Sequence, residues 1–241
     1  MKKIILRITS AIIFLPIIAS FIYTLFVLFF YDPCSDAYSF LHLLIFQLIL
    51  LLLSTITLTF SFKDSQNRYK VVRIALWVCF ALYLFTLFGI LFLDMIRTRG
   101  KESITTIFQY KDILSSIKAG SNFIPFHSIY NYIQQLTNQN PNNNYFILFL
   151  FGNLLLFCPM GILLPCLFKK TRKWYAFITT MLIGLFLIES LQLIFGMGRF
   201  DIDDMILNFI GAVLVYFIAK IHFIQKIFER LYLLQPKEVL I

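Results

Sequence analysis

The sequence predicts an all-α fold, a polytopic membrane bundle of six transmembrane helices with both termini cytoplasmic. Three observations carry this. Hydrophobic residues make up 60% of the 241, with 29 Phe and a mean hydropathy of +0.83, more apolar surface than one soluble core of this size can hide. Six runs meet or approach the ~20 apolar residues that a spanning helix needs. The basic residues behind the formal net charge of +9 fall in short clusters between those runs, where they orient a membrane chain. An unclosed sheet leaves backbone groups unpaired in lipid, so every run is read as helical. The same clustering argues against nucleic acid as a partner and for the lipid bilayer.

The first run, 4–31, follows Met1, Lys2 and Lys3; it outlasts a signal peptide's apolar core and lacks a small-x-small cleavage site, so it is a retained helix, bent at Pro16. The second, 37–62, carries His42, Gln47, Ser54, Thr55, Thr57 and Thr59, whose polar groups bond across helices or back to their own carbonyls. Together 1–70 forms an N-terminal pair of spans. The third is 71–93. Segment 94–144 is too long for a plain connection and carries structure of its own. Within it, 104–117 is weakly amphipathic, and 129–136 places apolar groups at helical spacing, as a helix lying on the interface would. An Asn-rich link, 138–144, broken by Pro141, leads into the fourth run, 145–168. Pro159 and Pro165 there lack N–H groups and displace the carbonyls of Leu155 and Gly161, so this span is bent, either to line a cavity or to improve packing. Runs 174–195 and 204–221 complete the 71–221 membrane domain, and 222–241 is a tail whose amphipathic part anchors on the inner surface. With the N-terminus inside, most of the 21 Lys and Arg lie inside; Arg97, Arg99, Lys101, Lys111, Lys118 and Arg199 lie outside. Cys34, Cys79, Cys158 and Cys166 have neither a disulfide framework nor zinc spacing, and no cofactor or metal is expected.

The stretch 189–208 concentrates what is chemically expensive in such a chain: Glu189, Gln192, Arg199, Asp201, Asp203, Asp204 and Asn208 between two apolar runs. A carboxylate facing lipid costs several kcal/mol, so Glu189 is expected to face the bundle interior, either protonated or paired. Counting ~1.5 Å per residue, Glu189 lies ~9 Å below Phe195, Asn208 ~10 Å below Asp201 and Asn153 ~12 Å below Tyr145, a common polar layer in the outer third of the bilayer. Arg199 is the one nearby cation in sequence, and three acids compete for it. Asp201 suits an N-cap, with Asp204 three residues on as in a capping box. Capping explains two aspartates and leaves Glu189, Arg199, Asp203 and Asn208 as the sharper candidates.

Four blocks in this chain carry a resemblance. They are Asn122-Phe123-Ile124-Pro125-Phe126; Gly152-Asn153 running to Pro159, Gly161 and Pro165; Glu189-Ser190-Leu191-Gln192; and Gly198-Arg199-Phe200-Asp201-Ile202-Asp203-Asp204 running to Asn208, Gly211 and Ala212. In this order they resemble the VanZ-like family of bacterial membrane proteins. The resemblance covers about 71–221 and implies a multi-pass plasma-membrane protein with a link to the cell envelope or to teicoplanin-type glycopeptide tolerance. It makes Asn122, Pro125, Asn153, Glu189, Gln192, Arg199, Asp201, Asp203, Asp204 and Asn208 the candidate ligand-binding residues, the ligand being a lipid-linked cell-wall precursor or the glycopeptide antibiotic. An alternative is an intramembrane enzyme acting on a lipid-linked substrate. Glu189, Asp203 and Asp204 are then its candidate catalytic residues, with Asp201, Asp203 and Asp204 able to hold a divalent cation through oxygen.

Overall fold

A computed structural model describes residues 49, 53, 55–93, 121–137, 143–194 and 200–234. The span expected at 4–31, most of that at 37–62, residues 94–120, the link 138–142, Arg199 with its flanking glycines, and the tail beyond 234 lie outside the described residues. The chain divides into two compact units, Met1–Asp94 with Lys226–Val239 and Met95–Gln225 with Leu240–Ile241. Every described element is helical. Four helices are long and apolar enough to cross a membrane: Ser65–Phe88, Leu150–Leu167, Trp174–Leu193 and Ile202–Ala219.

In the first unit, residues 55–61 are helical, and Thr59 Oγ1 donates back to the Thr55 carbonyl at 2.6 Å, one of the two expected uses of those hydroxyls. Helix α1, Ser65–Phe88, begins six residues before the apolar run that predicts it, because Asp64 caps it and accepts from the Gln66 N–H at 3.2 Å. Arg68, Lys70 and Arg73 therefore lie on its first turns. It continues as a π-helical turn, Gly89–Leu93.

In the second unit, α2 is His127–Thr137, α3 Asn143–Leu156, α4 Met160–Leu167, α5 Trp174–Ile194 and α6 Ile202–Ala219; α7, His222–Arg230, starts in this unit and from Lys226 belongs to the first. The expected bend falls at Pro159, where α3 stops, a turn covers 157–159, and α4 begins. The Leu155 carbonyl that Pro159 cannot serve is taken by the Cys158 N–H at 3.2 Å. Pro165, by contrast, sits within a continuous α4, and its own carbonyl accepts from Arg172 Nε at 3.0 Å.

Helix α6 is central and packs on α3, α4 and α5. Its inward face is Asn208, Gly211, Ala212, Tyr216 and Ala219. Small residues let the backbones meet, as membrane helices require when lipid supplies no hydrophobic drive between them. A Cβ on Gly161 would stand 2.6 Å from the Ala212 carbonyl oxygen, and one on Gly211 would collide with the Leu154 carbonyl. On α5 the inward stripe is Phe177, Met181, Leu185 and Glu189, at four-residue spacing, whereas Leu182, Ile183, Phe186 and Leu187 face outward.

At the end of the bundle away from Asp201, Tyr216 is fully buried and stacks on Phe177 with centroids 4.2 Å apart. Its hydroxyl donates to the Arg172 carbonyl at 2.5 Å, tying the 3₁₀ turn Lys169–Arg172 to α6. Tyr216→Phe keeps the stacking but takes the hydroxyl donor away from that buried carbonyl. Thermal unfolding in detergent should show a loss of ~1–2 kcal/mol, and an unchanged midpoint would mean the bond contributes nothing.

Candidate acidic site at the start of α6

The site is built where α6 begins. Asn122 and Asp201 form a parallel bridge: the Asn122 N–H donates to the Phe200 carbonyl at 2.8 Å and the Ile202 N–H to the Asn122 carbonyl at 3.0 Å. Phe123 stacks on Phe200 with centroids 5.1 Å apart. Two sequence blocks nearly eighty residues apart thus become one piece of structure.

The chain then turns tightly into α2. The Asn122 side-chain oxygen accepts from the Ile124 N–H at 3.0 Å, and the Ile124 carbonyl accepts from the His127 N–H at 3.3 Å. Pro125 occupies the second position of that turn, where its fixed φ fits, and lies exposed. Phe126 takes the third position with φ 66°, a left-handed conformation that costs a non-glycine residue ~1–2 kcal/mol.

Asp203 holds this turn in place. Wholly buried, its carboxylate accepts from the backbone N–H groups of Phe126 at 2.5 Å, Ser128 at 2.7 Å and Ile129 at 3.1 Å, and from Asn122 Nδ2 at 3.5 Å. Its oxygens are acceptors set against the unpaired donors and positive dipole end of α2, supplied by a different helix. Asp201 caps α6 as expected, accepting from the Asp203 N–H at 2.9 Å. It also accepts from Ser128 Oγ at 2.7 Å and Asn122 Nδ2 at 3.0 Å. Ser128 was not among the residues singled out from sequence; a serine in a first helical turn reads as an ordinary local residue, and its partner lies 73 positions away.

Asp204 does not complete a capping box. It accepts from Asn153 Nδ2 at 2.7 Å, joining α6 to α3, and the partner of the Asp201 N–H is instead Glu189 Oε2 on α5, at 3.4 Å. Glu189 is 6% exposed and faces inward, as the cost of a lipid-facing carboxylate requires. The common layer is thereby redrawn. Asn153 is level with Asp204 and Glu189 with Asp201, while Asn208 lies one turn deeper than Asp204 on the same face of α6. Since Glu189 is five residues before Ile194, α6 starts ~8 Å inward of the end of α5, which counting from a shared plane missed.

Asn208 is 4% exposed, and its side-chain oxygen, like Ser121 Oγ, is buried with no hydrogen-bond partner among the described residues. Gln192, a turn beyond Glu189, is half-buried. Arg199 lies outside the described residues; among those described, no cation pairs with Glu189, Asp201, Asp203 or Asp204. The three aspartates do not converge on a cation site: Asp203 faces backbone N–H groups, Asp201 its cap and Ser128, Asp204 Asn153. No group of three or more His, Cys, Asp or Glu among the described residues is arranged to hold a metal.

The arrangement therefore separates into two parts. Asp201 and Asp203 are spent on holding the 121–128 turn. Glu189, Asp204 and Asn208 remain as hydrogen-bond acceptors on two neighbouring helices, and Glu189 lies within the field of Asp204. Such a set suits a ligand that brings donors: hydroxyl, amide or ammonium groups. A family model described as VanZ/LLP1 matches residues 80–224, more than half of the chain and all of this site. No curated protein and no solved structure matches.

Proposed function

The chain belongs to the VanZ/LLP1 family, and on that premise we propose that it binds a cell-envelope component at its acidic end and so contributes to teicoplanin-type tolerance. The component is a lipid-linked wall precursor or the glycopeptide itself, both rich in hydroxyl and amide donors. The protein works in the bacterial plasma membrane with six spans, both termini cytoplasmic and the acidic end outward. The distribution of charge supports that orientation: Lys169, Lys170, Arg172, Lys173 and Lys220 gather at the opposite end of the same unit. The observation that carries the reading is the trio Glu189, Asp204 and Asn208, polar acceptors held in membrane-spanning helices without a cation among the described residues.

The test is expression in glycopeptide-susceptible cells of the chain, Glu189→Gln, Asp204→Asn and the double variant, with membrane levels quantified. These isosteric changes keep an acceptor oxygen at each position and remove the ionisable group. The double variant is expected to lose the tolerance that the wild-type chain confers, down to the empty-vector level. Full tolerance at wild-type abundance would show that the acidic end is not the working part.

A second reading rests on the same pair. Two carboxyl groups from adjacent helices, Glu189 within the field of Asp204, are also what general acid–base catalysis on a lipid-linked substrate employs. Mass spectrometry of lipid-linked precursor incubated with the purified protein separates the two: an unchanged, retained molecule supports binding, and a converted one supports the enzyme.

A further inference from the structure

The first unit holds a cleft of about 370 Å³, at the lower end of the range for ligand sites, walled by Ile56, Phe60, Val72, Ala75 and Leu76 and reaching Arg230. The walls are open as well as apolar, with Ile56 44% and Phe60 70% exposed. From Val72 to Cys79, which also lines it, the cleft follows α1 for ~10 Å.

The mouth is shaped by the turn that ends α7. After α7 the Leu233 N–H donates to the Phe228 carbonyl at 2.9 Å and Tyr232 takes φ 60°, the reversal that usually calls for glycine. Tyr232 is held there by α1: Arg68 donates to its hydroxyl at 2.8 Å, and Tyr69 packs edge-on at 5.0 Å. This turn sets Arg230 through Leu233 across the cleft, with Arg230 itself exposed. Around it the charge is one-sided. Arg230 is the charged residue of the lining, and Arg68 joins it at the rim through its bond to Tyr232.

We infer that this cleft binds one anionic phospholipid, an acyl chain lying along α1 against Val72, Ala75 and Leu76 and the phosphate at Arg230. An apolar channel with a basic rim matches both halves of such a lipid, and a juxtamembrane basic residue contributes attraction to anionic headgroups. A zwitterionic lipid satisfies the channel and gains nothing from the rim. The cleft uses none of the residues of the acidic end, and the inference is independent of the function proposed for it.

Native mass spectrometry of the full chain released from vesicles of equal phosphatidylglycerol and phosphatidylcholine tests this. The wild type is expected to retain a single phosphatidylglycerol in preference to phosphatidylcholine. Arg230→Gln, a change at an exposed position, should lower that preference about fivefold, the factor equivalent to ~1 kcal/mol per basic residue. Ala75→Trp, which fills the channel, should expel both lipids. Equal retention of the two lipids by the wild type, or a preference that Arg230→Gln leaves intact, would overturn the assignment.

Discussion

Asp203→Ala is expected to release the 121–127 turn and the start of α2 from the bundle. The substitution leaves the backbone N–H groups of Phe126, Ser128 and Ile129 without their acceptor and removes one partner of Asn122. An orphaned buried donor costs ~1–3 kcal/mol, and water relieves part of that at a partly exposed turn, so a total of ~3–5 kcal/mol is expected. Phe126 compounds the loss, because its left-handed backbone persists only while its surroundings demand it. Hydrogen exchange read by mass spectrometry should show protection lost across 121–137 and kept in α5 and α6. Asp203→Asn retains one acceptor oxygen and should fall between the two. Wild-type protection of 121–137 in the alanine variant would show that this carboxylate does not hold the turn.

Replacing Gly211 by leucine is expected to be worse, since the bundle has no arrangement that accommodates it. The obstacle is the carbonyl of Leu154, a backbone group on α3 with no rotamer to change. Helices α3 and α6 must separate, which breaks the Asn153–Asp204 bond and opens the packing that buries Ala212. Overpacking of a core costs ~1–3 kcal/mol where side chains can shift, and a backbone obstacle takes the cost beyond that. Gly161→Leu should fail in the same way against Ala212 and Tyr216. Gly152→Ala and Gly184→Ala meet nothing within 4 Å and should be tolerated, with gains of up to ~1 kcal/mol in helix propensity. The amount of monodisperse protein recovered from membranes in mild detergent reads all four. Wild-type recovery of the Gly211 variant would contradict the close approach.

The contrast among these glycines marks the limit of reading the chain alone. Gly152 and Gly211 look alike in sequence, each inside an apolar run, and only the packing tells them apart. The same holds for the acids. Asp201 was legible as a cap because its partner is two residues away. Asp203 attracted attention because no local role accounted for it, and its role is a cap on a helix 75 residues earlier. The capping box proposed for Asp204 followed local spacing correctly, but Asn153 on α3 competes for that carboxylate and takes it.

What the sequence determined by itself was the helical, membrane-spanning class, the break at Pro159, the inward face of Glu189, and the places where polar groups concentrate. Each follows from properties a segment carries alone: hydrophobic length, a missing N–H, the cost of charge in lipid. Only the tertiary structure decided which acid meets which donor. That choice depends on the relative heights of packed helices, and those heights are set by where Gly161 and Gly211 let one backbone rest on another.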